Sequence, residues 1–112
     1  MDIVVEHRAP TTVVRITGSV DGLTADALLS TLQQQIDAGN VRLIGDLSGV
    51  SYTSSAGLRA LLATVKAARQ QGGDFRLAAV LPPVHKVLEM SGFTSIIKLY
   101  ADVDLAVASF PA

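Results

Sequence analysis

Two hydroxyl side chains stand next to each other at Ser54 and Ser55, where an apolar run gives way to a helical pattern. Serine at such a junction has three chemical uses. It caps a helix by accepting a hydrogen bond from an unpaired amide of the first turn. It accepts a phosphoryl group, which the free N–H groups and positive dipole of a helix start receive well. It acts as a nucleophile if a base is placed to take its proton. The third use fits poorly here. A nucleophile elbow requires Gly-x-Ser-x-Gly. Gly57 lies two residues after Ser55, but Thr53 lies two before it, and no histidine is placed near by motif. Ser55 therefore reads as an N-cap that can also take a phosphate, with Ser54 as a rival acceptor. A phosphate there should leave the fold intact and act on a partner surface, because its charge of about −1.5 to −2 complements the dipole but not an apolar interface.

Other polar residues have weaker signals. Arg59 follows Ser55 by four residues and can share its helix face. A cation in the first turn is mildly disfavoured by the dipole, so pairing with a phosphate or an acidic partner is one reading and plain solvation the other. Asp21 sits in a turn after Gly18, where Asp bonds its own backbone. Asp46, near a strand end, is expected to cap or brace the loop toward the serines. No second carboxylate or histidine accompanies it, and a phospho-accepting receiver domain would begin β-α with an acidic pair rather than β-β. Gly57 suggests close packing at the helix start. His7 and His85 share no ligand spacing, and cysteine is absent. Disulfides, thiolate metal sites and cysteine nucleophiles are thereby excluded, and neither cofactor nor metal is expected.

The elements that must position these groups follow from hydrophobic spacing. Ile3–Val5 and Thr12–Thr17 are β-branched runs joined around Ala9-Pro10, which predicts a hairpin. Gly18–Gly22 breaks the pattern. Thr24 is placed to cap a helix with Leu28, Leu29, Leu32 and Ile36 at helical spacing, stopped at Gly39-Asn40. Val41–Leu47 reads as a strand in which Gly45 marks a bulge or a close backbone approach. Leu58, Leu61, Leu62, Val65 and Ala68 mark one face of the next helix, which ends at Gly72-Gly73. Phe75–Val80 is a strand, and Pro82-Pro83 opens a short helix with Val84, Val87 and Leu88 inward. Ile96–Tyr100 is the last strand, and Asp102 caps a helix carrying Leu105, Ala106 and Phe110. The order β-β-α-β-α-β-α-β-α predicts an α/β fold: a mixed, mostly parallel sheet of roughly five strands with packed helices.

Composition bounds the partners. A length of 112 residues fits one domain over 1–112, large enough to bury a core without staples. The net charge of −1, without a basic stripe, argues against nucleic acid. No apolar run approaches the ~20 residues of a membrane span. The start, Met1-Asp2-Ile3, shows no signal-peptide pattern. A cytoplasmic protein is expected.

The central stretch resembles the STAS family, in particular the small bacterial anti-sigma-factor antagonists. Their pattern of Asp-Leu, a short turn, an aromatic or aliphatic residue, Asp or Ser, Ser, a small residue, Gly and Leu is matched by Asp46-Leu47-Ser48-Gly49-Val50 and Tyr52-Thr53-Ser54-Ser55-Ala56-Gly57-Leu58. Gly18-Ser19-Val20-Asp21, Gly72-Gly73 and Met90-Ser91-Gly92-Phe93 resemble further landmarks in the same order. The resemblance implies a non-enzymatic binding module. It implies as partners a serine-kinase anti-sigma factor with a histidine-kinase-like ATPase fold and a metal-dependent serine phosphatase. Unphosphorylated antagonist holds the kinase and frees a sigma factor; phosphorylation reverses this. Matched by position, the acceptor is Ser55, and Ser54 stands where many members carry Asp. Asp21 falls on an acidic position used in kinase contact. Thr24, Ser54, Ser55, Ala56, Gly57 and Arg59 complete the implied partner surface, on a monomer that forms hetero-complexes. A STAS scaffold that is not phosphorylated, in another partner-switching or stress-signalling complex, is the alternative.

Overall fold

The computed structural model describes residues 1–111. Strands β1 (Asp2–Arg8) and β2 (Thr11–Thr17) form the hairpin. They are followed by α1 (Ala25–Asp37), β3 (Arg42–Gly49), α2 (Ser55–Gln70), β4 (Asp74–Ala78) and α3 (Pro82–Met90). A 3-10 turn (Phe93–Ser95), β5 (Leu99–Tyr100) and α4 (Val103–Ala108) complete the chain. The five strands lie in chain order across one sheet, with β1 and β2 antiparallel and the remaining neighbours parallel. The expected fold class and element order are both present.

Each crossover from β2 to β5 steps one place in the same direction. Right-handed connections then put α1, α2 and α3 on a single face. Leu28, Leu32, Leu58, Leu61, Val65, Val84 and Leu88 pack there against Val14, Ile16, Leu43, Leu47, Phe75 and Leu77. The pleat sends alternate residues to the other side. Val13, Ile44 and Ala78 accordingly meet Ala106 and Phe110, so α4 closes the second face.

Four local expectations are corrected. Gly45 lies in a regular stretch of β3 rather than at a bulge. The groups that exclude a side chain from it are Phe75 and Leu77, whose side-chain carbons would lie 3.0 Å from an added Cβ. The last strand begins at Leu99, because the amides of Ile96 and Ile97 donate to Phe93 O in the preceding turn instead of joining the ladder. Phe110 lies beyond the end of α4, and Leu105 points to solvent. On α2 the buried stripe runs through Ala60 and Thr64, while Leu62 is only half-buried. Asp102 caps α4 as expected, its Oδ1 accepting from Leu105 N at 2.8 Å.

One charged cluster ties several of these elements together. Asp74, at the start of β4, accepts from Arg69 Nε of α2 at 2.9 Å and from Arg76 Nε at 3.0 Å. Arg69 also donates to Ile96 O, while Arg76 donates to Ser109 O and sits 3.9 Å from the centre of the Phe110 ring. Burial pushes the Asp74 carboxyl up, but hydrogen bonds from Arg76 and Arg69 outweigh it and hold the group below its ordinary value. A depressed folded value gives a stabilisation that is complete above the unfolded value of 3.8 and lost as pH falls through the folded one. Asp74→Asn is expected to cost about 3 kcal/mol at neutral pH, since it strands the half-buried Arg76. In urea denaturation followed from pH 7 downward, the gap to the unsubstituted protein should close as Asp74 protonates. An equal gap at every pH would refute this assignment.

Candidate functional site

The C-terminal ends of the parallel strands carry the site, and an irregularity at the end of β3 aims it. Arg15 of β2 pairs with Asp46, but Thr17 pairs with Gly49, so β3 holds one extra residue between those pairs. Such a bulge bends its strand and leaves an amide without a ladder partner. Asp46 supplies the partner: its Oδ1 accepts from Ser48 N at 3.0 Å, and its Oδ2 faces Arg15 Nε at 3.3 Å. The carboxylate thus braces the strand exit and not the serines, which corrects the expectation for Asp46.

Beyond the bulge, Val50–Thr53 runs alongside the loop after β2. Val20 and Thr53 form an isolated parallel bridge. Val20 N donates to Tyr52 O at 3.0 Å, and Ser54 N donates to Val20 O at 2.8 Å. The second bond fixes Ser54 in an extended conformation immediately before the helix, from where its Oγ accepts from Gly57 N at 3.3 Å. Ser54 is therefore the N-cap. Ser55 is the first helical residue and is exposed, and among the described residues its hydroxyl has no protein hydrogen-bond partner. The expected cap at Ser55 is displaced by one position, because the inter-loop bond sets where helical geometry can begin.

The neighbouring loop is built around Asp21. Its Oδ1 accepts from Leu23 N at 2.9 Å and Thr24 N at 3.1 Å. Thr24 occupies the N-cap position of α1 but makes no side-chain cap bond. Its hydroxyl instead accepts from Asp21 N at 2.9 Å, and its one proton has two acceptors within reach, Ser19 O at 3.1 Å and Asp21 Oδ1 at 3.2 Å. Thr24 thus closes the turn on itself, correcting its expected role. The Leu23 N–H is the chief group holding the Asp21 carboxyl below its ordinary value; desolvation opposes it, and the Thr24 hydroxyl and amide add to the lowering.

Gly57 marks where the two loops and α2 converge. A Cβ there would clash with Thr53 Oγ1 and lie 2.8 Å from Val20 Cγ1. Ala56 and Arg59 lie along the α2 wall of a shallow cleft of about 280 Å³, with Ala25, Asp26 and Leu29 of α1 opposite. Arg59 is exposed and makes no ion pair among the described residues. Asp21, Thr24, Ser54, Ser55, Ala56, Gly57 and Arg59 thus meet at one end of the molecule. His85 pairs with Glu89 on α3, and His7 bonds Thr12 in the hairpin. Leu23, 93% exposed, escaped sequence reasoning, and its one sequence signal is a large apolar side chain inside a polar turn; Tyr52, 54% exposed, entered only as the aromatic position of the family pattern and not as part of the partner surface.

Among the described residues no cluster of three or more His, Asp or Glu is arranged to hold a metal, and no helix is long and apolar enough to cross a membrane. The geometry suits recognition by a surface: a rigid pair of loops, an ionised carboxylate and a free hydroxyl on a helix start.

A five-stranded mixed sheet in this order, with a serine-bearing turn leading into α2, defines a STAS domain, and the STAS domain family profile matches residues 2–106. The chain belongs to the STAS domain family. It is 38% identical over 95 residues to BtrV of Bordetella bronchiseptica, provisionally named an anti-sigma factor antagonist, covering 85% of this chain and 82% of that one. It is 30% identical over 101 residues to the anti-sigma F factor antagonist of Paenibacillus polymyxa, covering 89% and 86%. A crystal structure of an anti-sigma factor antagonist from Mycobacterium paratuberculosis superposes with a TM-score of 0.88 at 28% identity, covering 96% of this chain and 92% of that chain.

The two serines should separate in stability measurements. Ser54→Ala is expected to cost about 1 kcal/mol through loss of the cap, and Ser55→Ala less than about 0.5 kcal/mol. Chemical denaturation of both variants checks this, and the reverse ranking would place the cap at Ser55. Gly57→Ala is expected to cost about 1–3 kcal/mol by forcing Thr53 and Val20 apart. Its amide shifts in NMR should spread into residues 19–24, across the bridge, rather than stay within α2.

Proposed function

We propose that this chain is an anti-sigma-factor antagonist whose binding is switched by phosphorylation of Ser55. The observation that carries the choice of acceptor is the division of labour between the two serines. Ser54 Oγ is engaged with Gly57 N, whereas Ser55 is exposed at the first position of α2. The names borne by the relatives at 38% and 30% identity support the antagonist role. The partner is a serine-kinase anti-sigma factor with a histidine-kinase-like ATPase fold, and a metal-dependent serine phosphatase resets the switch. The chain acts in the cytoplasm as a monomer that enters hetero-complexes.

Unphosphorylated, the surface of Asp21, Thr24, Ser54, Ser55, Ala56, Gly57 and Arg59 holds the kinase, which releases its sigma factor. The kinase then transfers the γ-phosphoryl group of ATP to Ser55 Oγ: the bond to the ADP leaving group breaks, the O–P bond forms, and the hydroxyl proton passes to a base of the kinase. The new dianion sits at a helix start, where the dipole and free amides favour it, so the fold persists. At a packed interface the same charge is desolvated without a counter-ion from the partner, so the complex dissociates. Arg59, one turn along, is the nearby cation in this chain.

Incubation with the kinase-type anti-sigma factor encoded in the same genome and ATP, followed by mass spectrometry, tests the assignment. A single phosphate is expected on the unsubstituted protein and on Ser54→Ala, and none on Ser55→Ala. Label lost only in Ser54→Ala would move the acceptor. No label on any form, with binding intact, would favour an unphosphorylated STAS scaffold. In calorimetry the phosphorylated protein should bind the kinase at least about tenfold more weakly, with its melting temperature unchanged.

A further inference from the structure

We propose that Leu23, with Tyr52 on the adjoining loop, is an apolar anchor that seats in a hydrophobic socket on the anti-sigma factor; this rests on the function proposed above and specifies how the partner is recognised. Leu23 is 93% exposed, the most exposed large apolar side chain among the described residues. Single exposed leucines are ordinary on protein surfaces. This one differs in how it is held. Its own amide donates to Asp21 Oδ1 at 2.9 Å, and the turn around it is closed by the Asp21 N to Thr24 Oγ1 bond at 2.9 Å. The Thr24 hydroxyl ties the turn back to Ser19 O at 3.1 Å. The backbone is thereby fixed with the side chain directed into solvent, so little further ordering is needed when a partner covers it.

The anchor belongs to the same surface as Ser55. Val20, immediately before the turn, is bonded to Tyr52 O and Ser54 N. Tyr52, 54% exposed, presents a second apolar face from the adjoining loop. The turn that carries the anchor is negative: Asp21 lies two residues before it and Asp26 in the first turn of α1, with Arg59 across the cleft on α2. The occupant that fits is a partner surface with an apolar socket and a cationic rim. A second copy of this chain would bring one Arg59 to meet the two carboxylates, a poorer match than a cationic rim. The other exposed leucine, Leu105, lies on α4, which covers the opposite face of the sheet.

Calorimetry with the purified kinase-type anti-sigma factor encoded in the same genome tests the anchor, run with ADP and without ATP so that the chain stays unphosphorylated. Leu23→Ala is expected to weaken binding at least about tenfold and Tyr52→Ala by a similar factor, with Leu105→Ala unchanged. In phosphorylation assays on the serine-intact chain, Leu23→Ala should raise KM for the antagonist and leave kcat unchanged. Leu23→Ala binding within twofold of the unsubstituted chain, or lowering kcat with KM unchanged, would overturn the anchor alone. Failure of the unsubstituted chain both to bind and to be labelled would overturn the anchor together with the function beneath it. Concentration-dependent dimerisation in sedimentation, abolished by Leu23→Asp, would assign the surface to a second copy and also overturn the proposal.

Discussion

The absence of a side chain at Gly57 is the constraint on which the site depends. The first turn of α2 lies against Val20 and Thr53 so closely that a methyl group has no place. That contact lets two loops from different crossovers join through the Val20–Thr53 bridge. The bridge in turn fixes the backbone of Ser54, assigns the cap to its hydroxyl and leaves the next serine free. A helix start that would otherwise fray is held from outside the helix. Shape at the recognition end therefore follows from the backbone bonds across the bridge together with the Asp21, Thr24 and Ser54 side chains that close the turn and cap the helix.

Three carboxylates illustrate how differently the fold uses one functional group. Asp74 is paired with two arginines and joins α2, β4 and the segment after α4. Asp46 is also buried, yet its main task is local: it supplies an acceptor to the amide that the bulge in β3 leaves out. Asp21 is bonded to its own turn on one side and open to solvent on the other. The first two have spent their acceptor capacity on the protein. Only Asp21 keeps charge available to a partner, and it does so on a backbone that cannot move away.

The hydrophobic layers explain why the recognition end can be rigid in so small a chain. Right-handed crossovers all stepping one way leave three helices on one face, and α4 covers the other. The strand ends between them emerge at one edge of the molecule. The loops there need carry no core residues beyond Val20 and Val50. Leu23 and Tyr52 are accordingly free to face outward.

Much of this was legible in the residues themselves. Helical spacing of Leu28, Leu32 and Ile36, and of Leu58, Leu61 and Val65, fixed two helices, because periodicity is a local property of the chain. The capping role of Asp102 was equally local, since its partner lies three residues on. The resemblance along the whole chain named the family. The departures have a common cause. Thr24 lost its cap role to a turn closed by Asp21, and Asp46 turned to a bulge defined by its pairing with β2. The last strand shortened because Ile96 and Ile97 spend their amides on Phe93. The sequence by itself determined that a serine pair begins α2. Only the tertiary structure decided which serine caps and which stands free, because that choice is made by Val20, a residue distant in sequence that holds the amide of Ser54.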